Sequence, residues 1–93
     1  AVLGTHTHVQ TNYNKILSNG TAFISDVGMC GARNGVLGFE KNSVIQKTIF
    51  GNNERFTLDE KDDYIVNAVV LDIDEISLKC HEIIKINMLL ENK

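Results

Sequence analysis

The hydrophobic positions of this chain fall into short alternating runs divided by polar, glycine-marked stretches, a pattern that predicts a strand-rich fold with little helix. Ala1-Val2-Leu3 runs into Gly4 and reads as the end of a strand, with residues 6–10 in the loop beyond its carboxyl end. Residues 12–20 are polar and close on a Ser18-Asn19-Gly20 turn signal. Residues 21–25 then alternate as a second strand returning beside the first. Segment 26–35, punctuated by Gly28, Gly31 and Gly35, has no period and is expected to be a loop passing near residues 6–10.

Beyond Lys41 the period changes. Asn42 or Ser43 can cap a short helix in which Val44, Ile45 and Ile49 recur at helical intervals and Gly51-Asn52-Asn53 ends it, about two turns in all. Residues 55–58 suit a short edge strand, and 59–63 a solvated acidic loop. Residues 64–74 place Ile65, Asn67, Val69, Leu71 and Ile73 on one face and Val66, Ala68, Val70 and Asp72 on the other. With both faces mostly apolar, a central strand covered on both sides is expected. Glu75-Ile76-Ser77 turns the chain into residues 78–88, the antiparallel partner, and residues 89–93 fray. His81 is expected to face solvent, and Asp72 and Asp74 to cap and solubilise the turn. The expected class is α/β, reading as α+β within this segment: mainly antiparallel strands with one short helix.

Ninety-three residues hold one small core, and no composition shift or repeat marks a domain boundary. A formal charge of −3 leaves no basic stripe for a nucleic-acid backbone, so a long nucleic acid is excluded as partner. No apolar run approaches the roughly 20 residues of a membrane span and no leader pattern is present, so a cytoplasmic protein is expected. Cys30 and Cys80 stand far apart, which fits reduced thiols and not a zinc ribbon. Cys30, flanked by glycine, is either a reactive thiol or an incidental small residue.

The chemistry gathers in Gly4-Thr5-His6-Thr7-His8-Val9-Gln10-Thr11. On an extended backbone, positions two apart face the same side with Cα atoms roughly 6.5 Å apart. His6 and His8 can then reach one ion, or each can hold one member of a metal pair about 3.5 to 4 Å apart. The alternative is a polar loop carrying two uncommitted imidazoles.

This block, followed by Ile16-Leu17-Ser18-Asn19-Gly20-Thr21-Ala22-Phe23-Ile24-Ser25-Asp26-Val27-Gly28-Met29 and by Val36-Leu37-Gly38-Phe39, resembles the carboxyl-terminal third of YmdB-like, calcineurin-type bacterial metallophosphoesterases. The likeness continues through Glu54-Arg55-Phe56 and Asn67-Ala68-Val69-Val70-Leu71-Asp72-Ile73-Asp74. It implies that residues 1–93 are the carboxyl-terminal portion of a single metallophosphoesterase domain, an α/β/β/α sandwich. By that likeness His6 ligates one metal and His8 the other, with iron or manganese as the two ions. Gly4 would admit close backbone approach to the metals, Thr5 and Thr7 would support the ligand rings through hydrogen bonds, and Asp26 would hold an imidazole N–H or else form a loop-fixing Asx turn. Gly28 and Met29 would line the pocket edge or simply pack the loop.

The implied activity is hydrolysis of cyclic nucleotide phosphodiesters, of the 2′,3′- and 3′,5′-cyclic AMP class. Such hydrolysis needs an activated hydroxide and charge neutralisation on the phosphoryl oxygens, which a metal pair supplies. Two histidines cannot saturate two ions, so the family's remaining Asp, Glu, Asn and His ligands, and the histidine that protonates the leaving oxygen, are expected upstream of this segment. No catalytic acid is identified within it. A homo-oligomer is left open. Capsule-synthesis relatives carry a similar histidine block, but there a proline is expected between the histidines, where this chain has Thr7. A third reading is a metal-binding or structural segment that is inactive alone.

Overall fold

A computed structural model describes residues 1–51 and 55–92. The elements run β1 (Val2–Leu3), β2 (Asn14–Ile16), β3 (Ala22–Ile24), β4 (Gly31–Ala32), α1 (Lys41–Phe50), β5 (Tyr64–Ile73) and β6 (Cys80–Leu90). This is the mixed α/β chain with one short helix that the patterning predicts. Two three-stranded sheets form, ordered β1-β3-β2 and β4-β5-β6. By contacts the chain divides into two units, residues 1–29 with 67–87 and residues 30–66 with 88–93.

In the first unit, β3 pairs antiparallel with β2 (Asn14↔Ile24, Lys15↔Phe23, Ile16↔Ala22) and parallel with β1 (Val2↔Phe23, Leu3↔Ile24). The expected strand at 21–25 is therefore present beside the first, but its hairpin partner is β2, within a stretch read as polar turn. The reason is local: Leu17 N donates to Thr21 O and Gly20 N to Leu17 O, so the Ser18-Asn19-Gly20 turn closes on its immediate flanks. Gly20 has φ 85°, a conformation that favours glycine, and Cys80 N donates to its carbonyl. Ala22 and Ile24, both fully buried, pack with Cys80 and Ile83, joined by Ile16, Val27, Val69 and Leu71. Alternation along β3 sends Phe23 to the opposite face, where it meets Tyr13 edge-on at 5.9 Å.

The turn between β5 and β6 is capped by Asp74, whose Oδ1 accepts from the amides of Ile76 and Ser77, each at 2.8 Å. These two bonds, Ser77 first, hold the Asp74 carboxyl below its ordinary range. His81 is exposed as expected, 3.6 Å from Asp74 Oδ2. Asp72, exposed on β5, does not share the capping. Along Asn67–Ile73 the expected double cover is not seen: Val70 and Ile73 are each about half exposed, while Asn67 is buried.

In the second unit, β4 pairs antiparallel with β5 (Gly31↔Ile65, Ala32↔Tyr64), so part of the expected loop is a two-residue strand too short to show a period. The helix begins after Glu40, not Asn42 or Ser43: the Glu40 carboxylate accepts from Asn42 N at 2.8 Å and Ser43 N at 2.9 Å, and Ser43 Oγ donates back to Glu40 O. Glu40 N in turn donates to Thr57 O. α1 is longer than expected, ten residues or nearly three turns, and ends at Gly51 in the left-handed conformation. Asn52, Asn53 and Glu54 lie outside the described residues. Residues 55–58 contribute a single bridge, Phe39↔Leu58, and not an edge strand. Leu89 and Leu90 extend β6 instead of fraying, and Asn92 bonds Asp63 and Glu60. The acidic loop is partly tied down, Asp62 accepting from the amide and side chain of Asn34.

Candidate metal centre

Parallel pairing of β1 with β3 brings the carboxyl ends of the two strands to the same edge, and both histidines and Asp26 follow those ends. The ladder extends past Leu3: Gly4 N donates to Ile24 O at 3.0 Å and Val27 N to Gly4 O at 2.8 Å. A Cβ at Gly4 would lie 2.1 Å from Ser25 O. The close approach that Gly4 permits is thus to the backbone of the neighbouring strand.

Asp26, 2% exposed, organises the loop. Its Oδ2 accepts from His6 N at 3.1 Å, Thr7 N at 2.6 Å and Thr7 Oγ1 at 2.6 Å, and its Oδ1 accepts from Gly28 N at 2.9 Å. The Thr7 hydroxyl, then the Gly28 amide, with the Thr7 and His6 amides behind them, hold this carboxyl far below the ordinary range against the opposing effect of burial. The main chain of Asp26 takes the far end of the loop: Thr11 N donates to Asp26 O at 3.0 Å, and Asp26 N to Thr11 Oγ1 at 3.1 Å. Between these anchors Val9 N donates to Thr7 Oγ1 at 3.2 Å.

The extended path expected for the histidine run is not adopted. Residues 6–9 bend, and His8 has φ 67°. Two successive amides converging on one carboxylate curl the backbone into an anion-holding nest, which a straight strand cannot do. His6 and His8 are both exposed, and among the described residues neither imidazole has a hydrogen-bond or ion-pair partner. Of the two roles expected of Asp26, the Asx turn is present, through Gly28 N, and the imidazole contact is not; the carboxylate is occupied by amides of the loop. Thr7 makes hydrogen bonds to Asp26 and Val9, whereas Thr5 is exposed and joins none of these interactions. Gly28 and Met29 lie against Asn67: a Cβ at Gly28 would meet the Asn67 side chain at 2.7 to 2.8 Å, and Met29 O accepts from Asn67 Nδ2 at 2.9 Å.

Three supporting residues carried no clear signal in the sequence. Gln10 Nε2 donates to Ala68 O at 3.1 Å and Ile86 O at 3.2 Å, bridging β5 and β6. Asn87 Nδ2 donates to Asn67 Oδ1 at 2.9 Å. The single clue was Asn67 itself, an amide on an otherwise apolar strand face. The two imidazoles are nitrogen donors suited to a divalent transition metal. Among the described residues no group of three or more His, Cys, Asp or Glu side chains converges. An open depression of about 440 Å³ in the second unit, lined by Glu40, Ser43, Arg55 and Thr57 among others, contains none of the candidate metal-site residues.

A family model described as YmdB-like protein matches residues 1–86. A 2′,3′-cyclic-nucleotide 2′-phosphodiesterase of Bacillus subtilis (strain 168) is 44% identical over 86 residues, covering 92% of this chain and 32% of that protein. The crystal structure of a phosphatase from Mycoplasma pneumoniae superposes with a TM-score of 0.81 at 28% identity, over 97% of this chain and 32% of that one. The crystal structure of a hypothetical protein from Thermus thermophilus gives 0.77 at 29% identity, over 96% and 34%. The chain spans about a third of the length of each of these relatives.

Proposed function

The chain belongs to the YmdB-like protein family, and on that membership we propose that it supplies His6 and His8 as metal ligands to a phosphodiesterase acting on small cyclic nucleotides. The observation that carries this reading is the histidine loop itself: two solvent-facing, partner-free imidazoles on a backbone pinned at both ends by Asp26. Such rings bind metal without first giving up a protein partner, and the fixed loop lowers the ordering cost of binding. Iron or manganese fits nitrogen donors completed by carboxylate and amide oxygens. When bound, a metal pair supplies an activated water and neutralises charge on the phosphoryl oxygens. The residues of this chain bind and orient; the proton for the leaving oxygen comes from a group outside them. The substrate class proposed is that of the Bacillus subtilis relative, named for 2′,3′-cyclic nucleotides, with 3′,5′-cyclic AMP as a further substrate to be tested beside it. The two cysteines of this chain, Cys30 exposed and Cys80 buried, are not joined in a disulfide, which suits a reducing cytoplasmic compartment.

The test is His6→Ala and His8→Ala in a full-length protein carrying these residues, with metal content by elemental analysis and turnover of bis(p-nitrophenyl) phosphate and 2′,3′-cyclic AMP. Each variant loses metal and activity while circular dichroism stays that of the parent. Unchanged metal stoichiometry and rate in both variants refute the assignment. The 93-residue chain alone is expected to show negligible turnover with manganese or iron.

A further inference from the structure

We propose that Asp26 is the positioning residue of the histidine pair, setting the backbone path between the two imidazoles while making no contact with metal itself, and that the Thr7 hydroxyl locks it in that role; the proposal rests on reading His6 and His8 as ligands. A carboxylate offers about four lone-pair sites. Three donors converge on Oδ2 here, the amides of His6 and Thr7 and the hydroxyl of Thr7, and the Gly28 amide bonds Oδ1. Asp26 is buried at 2% exposure, so these bonds are not shared with bulk water. Two of its amide donors belong to the first histidine and to the residue between the pair, so displacing the carboxylate moves both rings together.

The division of labour within Asp26 separates this role from simple loop anchoring. Its main chain, through Thr11, already closes the loop. The side chain is left to curl residues 6–9, and Thr7 Oγ1, which donates to Oδ2 and accepts from Val9 N, carries that curl through to the far side of His8. Charge-assisted bonds to a carboxylate are the strong kind, and an amide in its place would turn an N–H toward donors.

The experiment compares Asp26→Asn, Thr7→Val and Thr7→Ser with the parent in a full-length protein, reading Mn²⁺ affinity by calorimetry and, in the metal-free protein, amide hydrogen exchange of residues 6–9. Asp26→Asn and Thr7→Val weaken Mn²⁺ binding about 10- to 100-fold, the usual effect of losing a group that orients ligands. Exchange at His6 and Thr7 speeds up about tenfold, the factor supplied by one charge-assisted hydrogen bond. Thr7→Ser, which keeps the hydroxyl, restores both. Thr7→Val stands alone if Asp26→Asn does not fold. Parent-like Mn²⁺ affinity and exchange in Thr7→Val, alongside lost binding in His6→Ala, overturn the positioning role. Parent-like binding in His6→Ala and His8→Ala overturns the ligand reading beneath it.

Discussion

Replacing Gly28 by alanine tests whether the seam under the histidine loop is as tightly built as its geometry indicates. Gly28 has φ 91°, and a Cβ there would come within 2.7 Å of Asn67 Nδ2 and 2.8 Å of both Asn67 Cβ and Cγ. The far end of that side chain cannot swing aside freely, because Asn67 donates to Met29 O and accepts from Asn87, and its own Cβ is fixed to β5. Gly51 provides the control: its φ is 62°, and among the described residues nothing lies within 4 Å of the place a methyl group would occupy. Gly51→Ala therefore registers the left-handed backbone alone, about 1 to 2 kcal/mol. Gly28→Ala adds overpacking against a fixed neighbour and costs about 2 to 5 kcal/mol in total. Urea unfolding followed by far-ultraviolet circular dichroism, at constant m, measures both. Because Gly28 N is a donor to Asp26, the same variant also loosens residues 6–9 in hydrogen exchange. Equal destabilisation by the two substitutions would refute the packing argument, since only one of them meets a side chain.

Gln10→Ala removes two hydrogen bonds to the carbonyls of Ala68 and Ile86 and is expected to destabilise by about 1 to 3 kcal/mol, with faster exchange at residues 8–11; urea titration checks it. The carboxyl of Asp74 titrates below its unfolded value, so its contribution to stability is fully present above the ordinary carboxylate range and is lost as pH falls through the lowered folded value. Asp74→Asn is accordingly expected to flatten the acid limb of the stability profile and to leave its slope near neutral pH unchanged, as read by thermal unfolding across a pH series.

Some of this architecture was written in local chemistry. The Ser18-Asn19-Gly20 turn, the left-handed helix end at Gly51 and the β5–β6 hairpin all follow from residue types whose conformational preferences act within a few positions. The helix start was not legible, because a glutamate is a poor cap by type and Asn42 and Ser43, the better caps by type, instead donate their amides to Glu40. β2 and β4 are too short for a period to show, and pairing with β3 and β5 defines them. The expected cover on both faces of β5 followed from counting apolar residues, and a count carries no knowledge of which neighbours are present.

The histidine pair was readable as candidate chemistry from residue type and order alone, since imidazole is a ligand wherever the chain places it. The path between the rings was not. That path depends on a carboxylate nineteen and twenty residues away, which parallel pairing of β1 with β3 sets beside the loop and which burial obliges to find partners. The nearest donors were the loop's own amides, and taking them bent a run that its spacing alone described as straight.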